Sequence, residues 1–267
     1  MKKYIGYRDQ DRATAYAKFY DETIAPLPAH VAQVLGKPPL PPGALPPPEH
    51  ARDLLRPGYT EAETGYTVEP DGSLRVAVLT AMPRVSPEMW DWWFGWHGSR
   101  DNRYKLWHPK MHRSAQWQDG RDDLAAYVGR TSMIEEYIGQ SMERANIRFV
   151  SPAELGFDQQ KLKDKRQVVV ICARIGYTHL PLDFGWLVHQ VRATEGGAEM
   201  RSRFWMGGPH IHLRMMGIPA RWLSKLLQKV KRLPAQQAKD LLHHCSEEMN
   251  HLAAFLPELH SEFHQQL

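Results

Sequence analysis

The chain has 267 residues, of which 42% are hydrophobic and 24% charged, the composition of a globular chain with room for one large domain or a domain plus a subdomain. No apolar run approaches the roughly 18 residues that a membrane span needs, so no membrane partner is expected. The formal net charge of +4 is spread along the chain; its densest group, Lys225, Lys229, Lys231 and Arg232, reads as the wet side of an amphipathic helix with no groove-reading motif beside it, and no nucleic-acid partner is expected.

Two lysines follow Met1 without an apolar stretch behind them, which is not the pattern of a signal peptide. Cys172 and Cys245 cannot make a disulfide framework, so a reducing cytoplasm is the expected compartment.

In chain order, residues 12–24 read as a helix, with Ala13, Tyr16, Ala17 and Tyr20 on one face. Pro26 and Pro28 interrupt that pattern before a short apolar stretch ending at Leu35. Residues 37–48 hold a proline tract, expected as an extended strap across the surface rather than as a ligand for a proline-reading partner. Beyond Arg56-Pro57-Gly58 the chain becomes β-rich, which places the expected boundary between an arm, 1–57, and a main domain, 58–267. Residues 64–69 and 73–81 flank Pro70-Asp71-Gly72 as a hairpin. Ser86 and Pro87 start a helix with Trp90, Trp93, Phe94 and His97 on one face. The nine tryptophans either fill a core or line a pocket for a flat apolar ligand.

Strands are expected over 131–140, 147–150 and 167–175. A further hairpin joins 185–194 to 199–206 around Glu195-Gly196-Gly197-Ala198; with Gly196-Gly197 as its two-residue turn, His189 faces Phe204. Helices over 219–232 and 235–255 close the chain, parted by Pro234. An antiparallel sheet followed by a long helix predicts an α+β, helix-grip plan, in which the sheet curls around the helix and leaves a cavity between them.

His244 and Glu248, four apart on the last helix, project from one face and could each give one ligand to a Zn²⁺ ion. In a chain with 14 histidines such a pair is ordinarily a solvated face. A second histidine-rich cluster, Tyr104-Lys-Leu-Trp-His108-Pro-Lys-Met-His112, strengthens the metal reading.

That cluster, the strand Ile134-Glu135-Glu136-Tyr137-Ile138-Gly139, the segment from Phe149 to Phe157, the segment from Gly197 to Gly207 and His244-Cys-Ser-Glu-Glu248 occur in order. Together they resemble the 2,4-diacetylphloroglucinol hydrolase and phloretin hydrolase family, over most of the chain from about Gly58 onward. The resemblance implies a helix-grip (START-like) zinc enzyme that cleaves the carbon–carbon bond between an acyl group and a polyphenol ring. It also implies a metal held by two histidines and two glutamates. Carried over, these are His112, a glutamate of the 135–136 pair, His244 and Glu248.

Alternation puts Ser132, Ile134, Glu136 and Ile138 on one strand face and favours Glu136, with Glu135 left open. Glu143 is a third candidate, expected in the following turn away from the cavity. His108 competes with His112, and His243 with Glu247 competes with His244 and Glu248. The resemblance further implies a proton-transferring pocket histidine, matched by His189, and a substrate-facing Tyr104. Phe204 and Trp93 are expected to touch substrate; a tyrosine is expected in relatives at Phe204, and phenylalanine donates no hydrogen bond. The implied partner is a small acylated polyphenol, with a homodimer joined through the N-terminal arm. The rival reading is a non-catalytic carrier of aromatic or lipid-like ligands, which has no need of two histidines and two carboxylates at one point.

Overall fold

The computed structural model describes residues 5–123, 126–214, 224 and 233–266, so the helix expected over 219–232 lies outside the described residues except for Ser224. Nine strands are found among the described residues: β1 Gly65–Val68, β2 Leu74–Pro83, β3 His112–Trp117, β4 Thr131–Ile138, β5 Ser141–Val150, β6 Val168–Tyr177, β7 Leu182–Thr194, β8 Gly197–Met206 and β9 His212–Leu213. They form one antiparallel sheet in the order β1-β2-β8-β7-β6-β5-β4-β3, with β9 paired to β7. The helices are α1 Asp9–Arg12, α2 Ala29–Leu35, α3 Pro87–Trp96, α4 Asp101–Trp107, α5 Ala235–Ala253 and α6 Leu256–Phe263. None of the described helices is long and apolar enough to cross a membrane.

The long helix α5 binds the sheet through a stripe. Ala238, Leu242, Cys245, Met249 and Leu252 recur at intervals of four and three residues, all fully buried, where α5 crosses β1 and β2. Each buried Leu or Met side chain of such a stripe contributes about 1.5–3 kcal/mol. At its N-terminal end α5 reaches β4 and α4, and a cavity remains between helix and sheet. This is the helix-grip architecture. Helix α3 starts as its sequence dictates, with Ser86 as N-cap and Pro87 in the first turn, and it buries Trp90, Trp93, Phe94 and Trp96. These rings join the main core between the helices and the inner sheet face.

The outer sheet face is covered too, which is why β7 and β8 are buried at nearly every position rather than at alternate ones. Trp186, Val188, Trp205, Val170 and Cys172 form a second core with Ala51 and Leu54, from the 3₁₀ turn Pro48–Leu55 that follows the proline tract. The tract lies along the sheet as a strap. Leu40 N–H donates to Tyr66 O at 2.9 Å, Leu45 is buried, and Trp205 Nε1–H donates to Pro46 O at 2.9 Å.

Three expectations are corrected. The helix over 12–24 is instead a 3₁₀ turn, Ala15–Phe19, because its aromatic rings are used one at a time: Tyr7 stacks on Tyr20 at 3.9 Å and Tyr16 sits edge-on to Trp96 at 5.2 Å. The β7–β8 turn is Glu195-Gly196, so His189 pairs with Ser202, and Phe204 with Leu187. Gly197 belongs to the strand because it also pairs with Pro83, and a Cβ there would lie 2.5 Å from Met82 O; Gly196, at φ +83°, supplies the left-handed turn position instead. The shift is by two residues, so His189 and Phe204 keep a common face and their rings still meet at 5.7 Å. Lastly, Glu143 lies in β5, opposite Glu136, and lines the cavity.

On the outer face, Arg201 and Arg203 are both buried and share the carboxylate of Glu63. Arg201 reaches it with two bonds, of 2.6 and 2.9 Å, and donates a third to Leu54 O at 3.0 Å. Burial works against the Glu63 charge, but the Arg201 bonds and the Arg203 charge outweigh it and hold the carboxyl down at about 2. Because its folded-state pKa is depressed, its contribution is complete above the ordinary glutamate range and is lost as pH falls toward 2. Glu63→Gln strands two buried cations and is expected to cost about 3–5 kcal/mol at neutral pH. Urea denaturation at pH 7 should show that loss, and a series from pH 5 to pH 3 should show the two proteins converging.

Candidate metal centre and its cavity

Strand pairing creates the centre's first contact. β3 runs beside β4 with His112 opposite Glu136, and a bulge between His112 and Ser114 inserts one extra residue. The bulge resets the alternation, so that His112 shares the inner face with Ala115 and Trp117 although the spacing is odd. Glu136 points inward with Ser132, Ile134 and Ile138, all on the cavity wall. Glu135 points outward and pairs with Arg113 and with Arg144, the latter at 2.8 Å. Of the two alternatives left open by the sequence, Glu136 is therefore the one that faces the cavity.

Helix α5 closes the group from the opposite side. His112, Glu136 and His244 offer ligand atoms all within 4.8 Å of one another. His112 Nε2 lies 3.3 Å from His244 Nε2 and 3.3 Å from Glu136 Oε2, and His244 Nε2 lies 3.7 Å from Glu136 Oε2. Glu248 approaches the same imidazoles from the helix side, its Oε2 being 3.3 Å from His112 Nε2 and 3.7 Å from His244 Nε2. Neighbouring ligands around a tetrahedral ion with bonds of 2.0–2.2 Å are separated by about 3.3–3.6 Å. Three of those five separations, at 3.3 Å, fall in that range, and the other two, at 3.7 Å, lie just beyond it.

The electrostatics point the same way. Burial, and then the charge of His244, keep His112 neutral far below the usual histidine range, so its Nε2 presents a lone pair. Its Nδ1–H donates to Tyr104 O at 3.0 Å, fixing the tautomer, and its ring stacks on Tyr104 at 3.9 Å. Burial, reinforced by the nearby Glu136 charge, pushes the Glu248 carboxyl up to about 8. For His244, burial opposes protonation, but its bond to Glu136 and the Glu248 charge outweigh it and raise the pKa. Burial opposes the Glu136 charge as well, yet the His244 bond holds its pKa low. The Tyr104 hydroxyl donates to Glu136 and stays protonated, its pKa raised by burial and by that carboxylate. Buried carboxyl groups beside two converging imidazole Nε2 atoms are a donor set whose shared protons a divalent cation would replace.

The competing residues form a separate group. His108 stacks behind His244 at 5.1 Å and faces Glu247 Oε2 at 3.3 Å, while His243 Nδ1 lies 3.3 Å from the same oxygen and is partly exposed. His189 lies elsewhere on the cavity wall, on β7. Its Nδ1 is 2.8 Å from Ser202 Oγ, and burial lowers its pKa to about 3, leaving a neutral imidazole. Phe204 and Phe94 flank it at 5.7 and 5.8 Å. Trp93 does not reach the wall. It is fully buried behind His97, stacked at 5.1 Å, and Phe94 of the same helix faces the cavity in its place.

The cavity is mostly apolar, with Phe149, Ile175, Leu187 and Met206 along the sheet. His97, Trp107 and Ser132 are wall residues for which the sequence analysis assigned no role. The spacing of Tyr104 and Trp107, three apart after Asp101, is a helical signal for the short α4 that carries two of the cavity rings. Asp101 accepts a 3.1 Å bond from Ala115 N–H and ties α4 to β3.

Fold and site together define a helix-grip protein whose cavity wall carries a buried histidine–carboxylate set able to hold a metal ion. The chain belongs to the family described as the DAPG hydrolase PhiG domain, whose model matches residues 45–261. It is 29% identical to the phloretin hydrolase of Eubacterium ramulus over 97% of this chain and 93% of that protein. It is 28% identical to a 2,4-diacetylphloroglucinol hydrolase of a Pseudomonas species over 80% of this chain and 76% of that protein. Among solved structures, a START superfamily protein from Mycobacterium smegmatis covers 69% of this chain and 98% of its own, at 12% identity and a TM-score of 0.37.

Glu136→Ala and His112→Ala are each expected to weaken divalent-metal binding beyond the roughly 10–100-fold that loss of an outer-sphere partner costs. Glu135→Ala should bind metal as the unaltered protein does. Calorimetric metal titration, with metal content by mass spectrometry, distinguishes the two.

Proposed function

We propose that this protein is a zinc-dependent hydrolase that cleaves the carbon–carbon bond between an acyl group and a phloroglucinol-type ring, releasing a carboxylic acid and the deacylated phenol. The observation that carries the reading is the buried donor set of His112, Glu136, His244 and Glu248 on the wall of an aromatic-lined cavity, in a chain of this family. A carrier of apolar ligands has use for the cavity but none for ionisable groups buried at its wall. Two imidazoles and two carboxylates suit zinc by donor type and by spacing.

Bound zinc would supply Lewis acidity, polarising the ketone oxygen and making water acidic enough to act near neutral pH. The protein's own residues account for the rest. The reaction adds water across one bond: oxygen joins the acyl carbon, the acyl–ring bond breaks, and a proton must arrive on the ring carbon. An electron-rich trihydroxybenzene helps, because its keto tautomer already carries a proton there.

His189, neutral and lodged between Phe94 and Phe204, is the proton carrier on the ring side, held in orientation by Ser202. Tyr104 remains a phenol at neutral pH and donates a hydrogen bond to Glu136, which orients that carboxylate; turned from Glu136 to the substrate, the same O–H would polarise the ketone oxygen. The surrounding apolar wall excludes bulk water and strengthens each of these contacts.

Purified protein should release the deacylated phenol from 2,4-diacetylphloroglucinol or phloretin, and a zinc chelator should stop it. His244→Ala is expected to lose zinc and activity together while circular dichroism stays unchanged. By contrast, His189→Ala should keep its zinc and lose about 10²–10⁴-fold in kcat, the range of a general acid–base group. Turnover that persists in metal-free protein would refute the reading.

A further inference from the structure

The two ends of the cavity differ in chemistry. Along β4 the inward side chains run Glu136, Ile134, Ser132, and a strand advances about 3.3 Å per residue, so Ser132 lies roughly 13 Å from Glu136. At the Glu136 end stand the imidazoles and carboxylates. Beyond it the wall is apolar: Ile134, Ala145, Ile147, and the rings of Phe94 and Phe149, which meet at 5.8 Å. Ser132 pairs with Ile147 across the sheet, within this apolar stretch.

Ser132 is 2% exposed, and its hydroxyl has no hydrogen-bond partner among the described residues. A buried hydroxyl left unpaired is costly, and on a ligand-cavity wall a group on the ligand can supply the missing partner. A serine hydroxyl both donates and accepts, as a phenol does.

We propose that Ser132 is a distal subsite that hydrogen-bonds a phenolic hydroxyl, with the ring bearing that hydroxyl held in the apolar stretch beside Phe94 and Phe149. This rests on the reading above that the acyl carbonyl sits at the His112, Glu136 and His244 end. A carbonyl, a two-carbon tether and a para-hydroxylated ring, the arrangement in phloretin, extend along most of the distance between the two ends. The subsite therefore selects acylphenols with a second, hydroxylated ring over those with a short acyl group.

The test is calorimetric titration of phloretin, and of its analogue lacking the second-ring hydroxyl, into unaltered protein, Ser132→Ala and Ser132→Thr. Unaltered protein should bind phloretin about fivefold more tightly than the analogue, the worth of one hydrogen bond. Ser132→Ala should lose that preference by weakening phloretin alone, and Ser132→Thr, which restores a hydroxyl, should regain it. The proposal is overturned if unaltered protein does not distinguish the ligands or binds neither, or if Ser132→Ala weakens both equally, as a packing role would. Turnover of phloretin and of 2,4-diacetylphloroglucinol by unaltered protein is read separately. Turnover of neither refutes the catalytic reading, whereas turnover without a phloretin preference refutes the Ser132 subsite alone.

Discussion

The structure depends on keeping two carboxyl groups and two imidazoles together, largely buried, on one cavity wall. Ionised groups in an apolar interior are costly unless their charges and lone pairs are met. Here they converge from three places far apart in the chain, β3, β4 and α5. No local segment could hold such a group. It persists because the pairing of His112 with Glu136 belongs to the sheet itself, and because the stripe from Ala238 to Leu252 sets the rotation of α5. A helix clamped through that stripe has one orientation, and His244 and Glu248 follow from it.

Around that group each neighbour serves two purposes. Tyr104 gives its carbonyl to His112 and its hydroxyl to Glu136, so the short helix α4 supports two donor residues at once. The arm fastens α4 in turn: Tyr7 donates to Asn102 O at 2.6 Å, and Tyr16 donates to Asn102 Oδ1 at 2.8 Å. On the other side of the sheet, Glu63 neutralises Arg201 and Arg203, while the strap and the turn Pro48–Leu55 cover the outer faces of β7 and β8. The strands that carry His189 and Phe204 are thus clamped on both faces, which suits a wall that must hold its shape around a flat ligand.

Much of this was legible because it is written in short-range patterns. Ser86-Pro87 marks the start of α3, and Pro70-Asp71-Gly72 marks the first hairpin. Alternation along β4 puts Glu136 on one face with Ser132, Ile134 and Ile138, without saying which face is inward, and the four-residue interval joins His244 to Glu248 on one helix face. The illegible parts share a cause: a contact with a distant segment overrode a local preference. The arm is not a helix because Tyr7, Tyr16 and Tyr20 each have a distant or stacked partner. The β7–β8 turn moved by one residue, shifting the register by two, because Gly197 is needed against Pro83 of β2. Strand β3 was hidden because its bulge breaks the alternation by which a strand is recognised.

The sequence by itself determined the class of fold and the residue types of the site, since periodicity, capping and donor spacing are properties of neighbours along the chain. Tertiary structure decided which of the candidates meet. It turned Glu135 out to its arginines and Glu136 inward, grouped His108 with Glu247 and His243, and left Trp93 in the core behind the cavity. It also brought Glu143 onto the wall and left the hydroxyl of Ser132 without a hydrogen-bond partner among the described residues. The reason is physical: the β3–β4 register, its bulge and the rotation of the last helix are set by packing between separate segments of the chain, and a shift of one residue in any of them turns a ligand into a surface side chain.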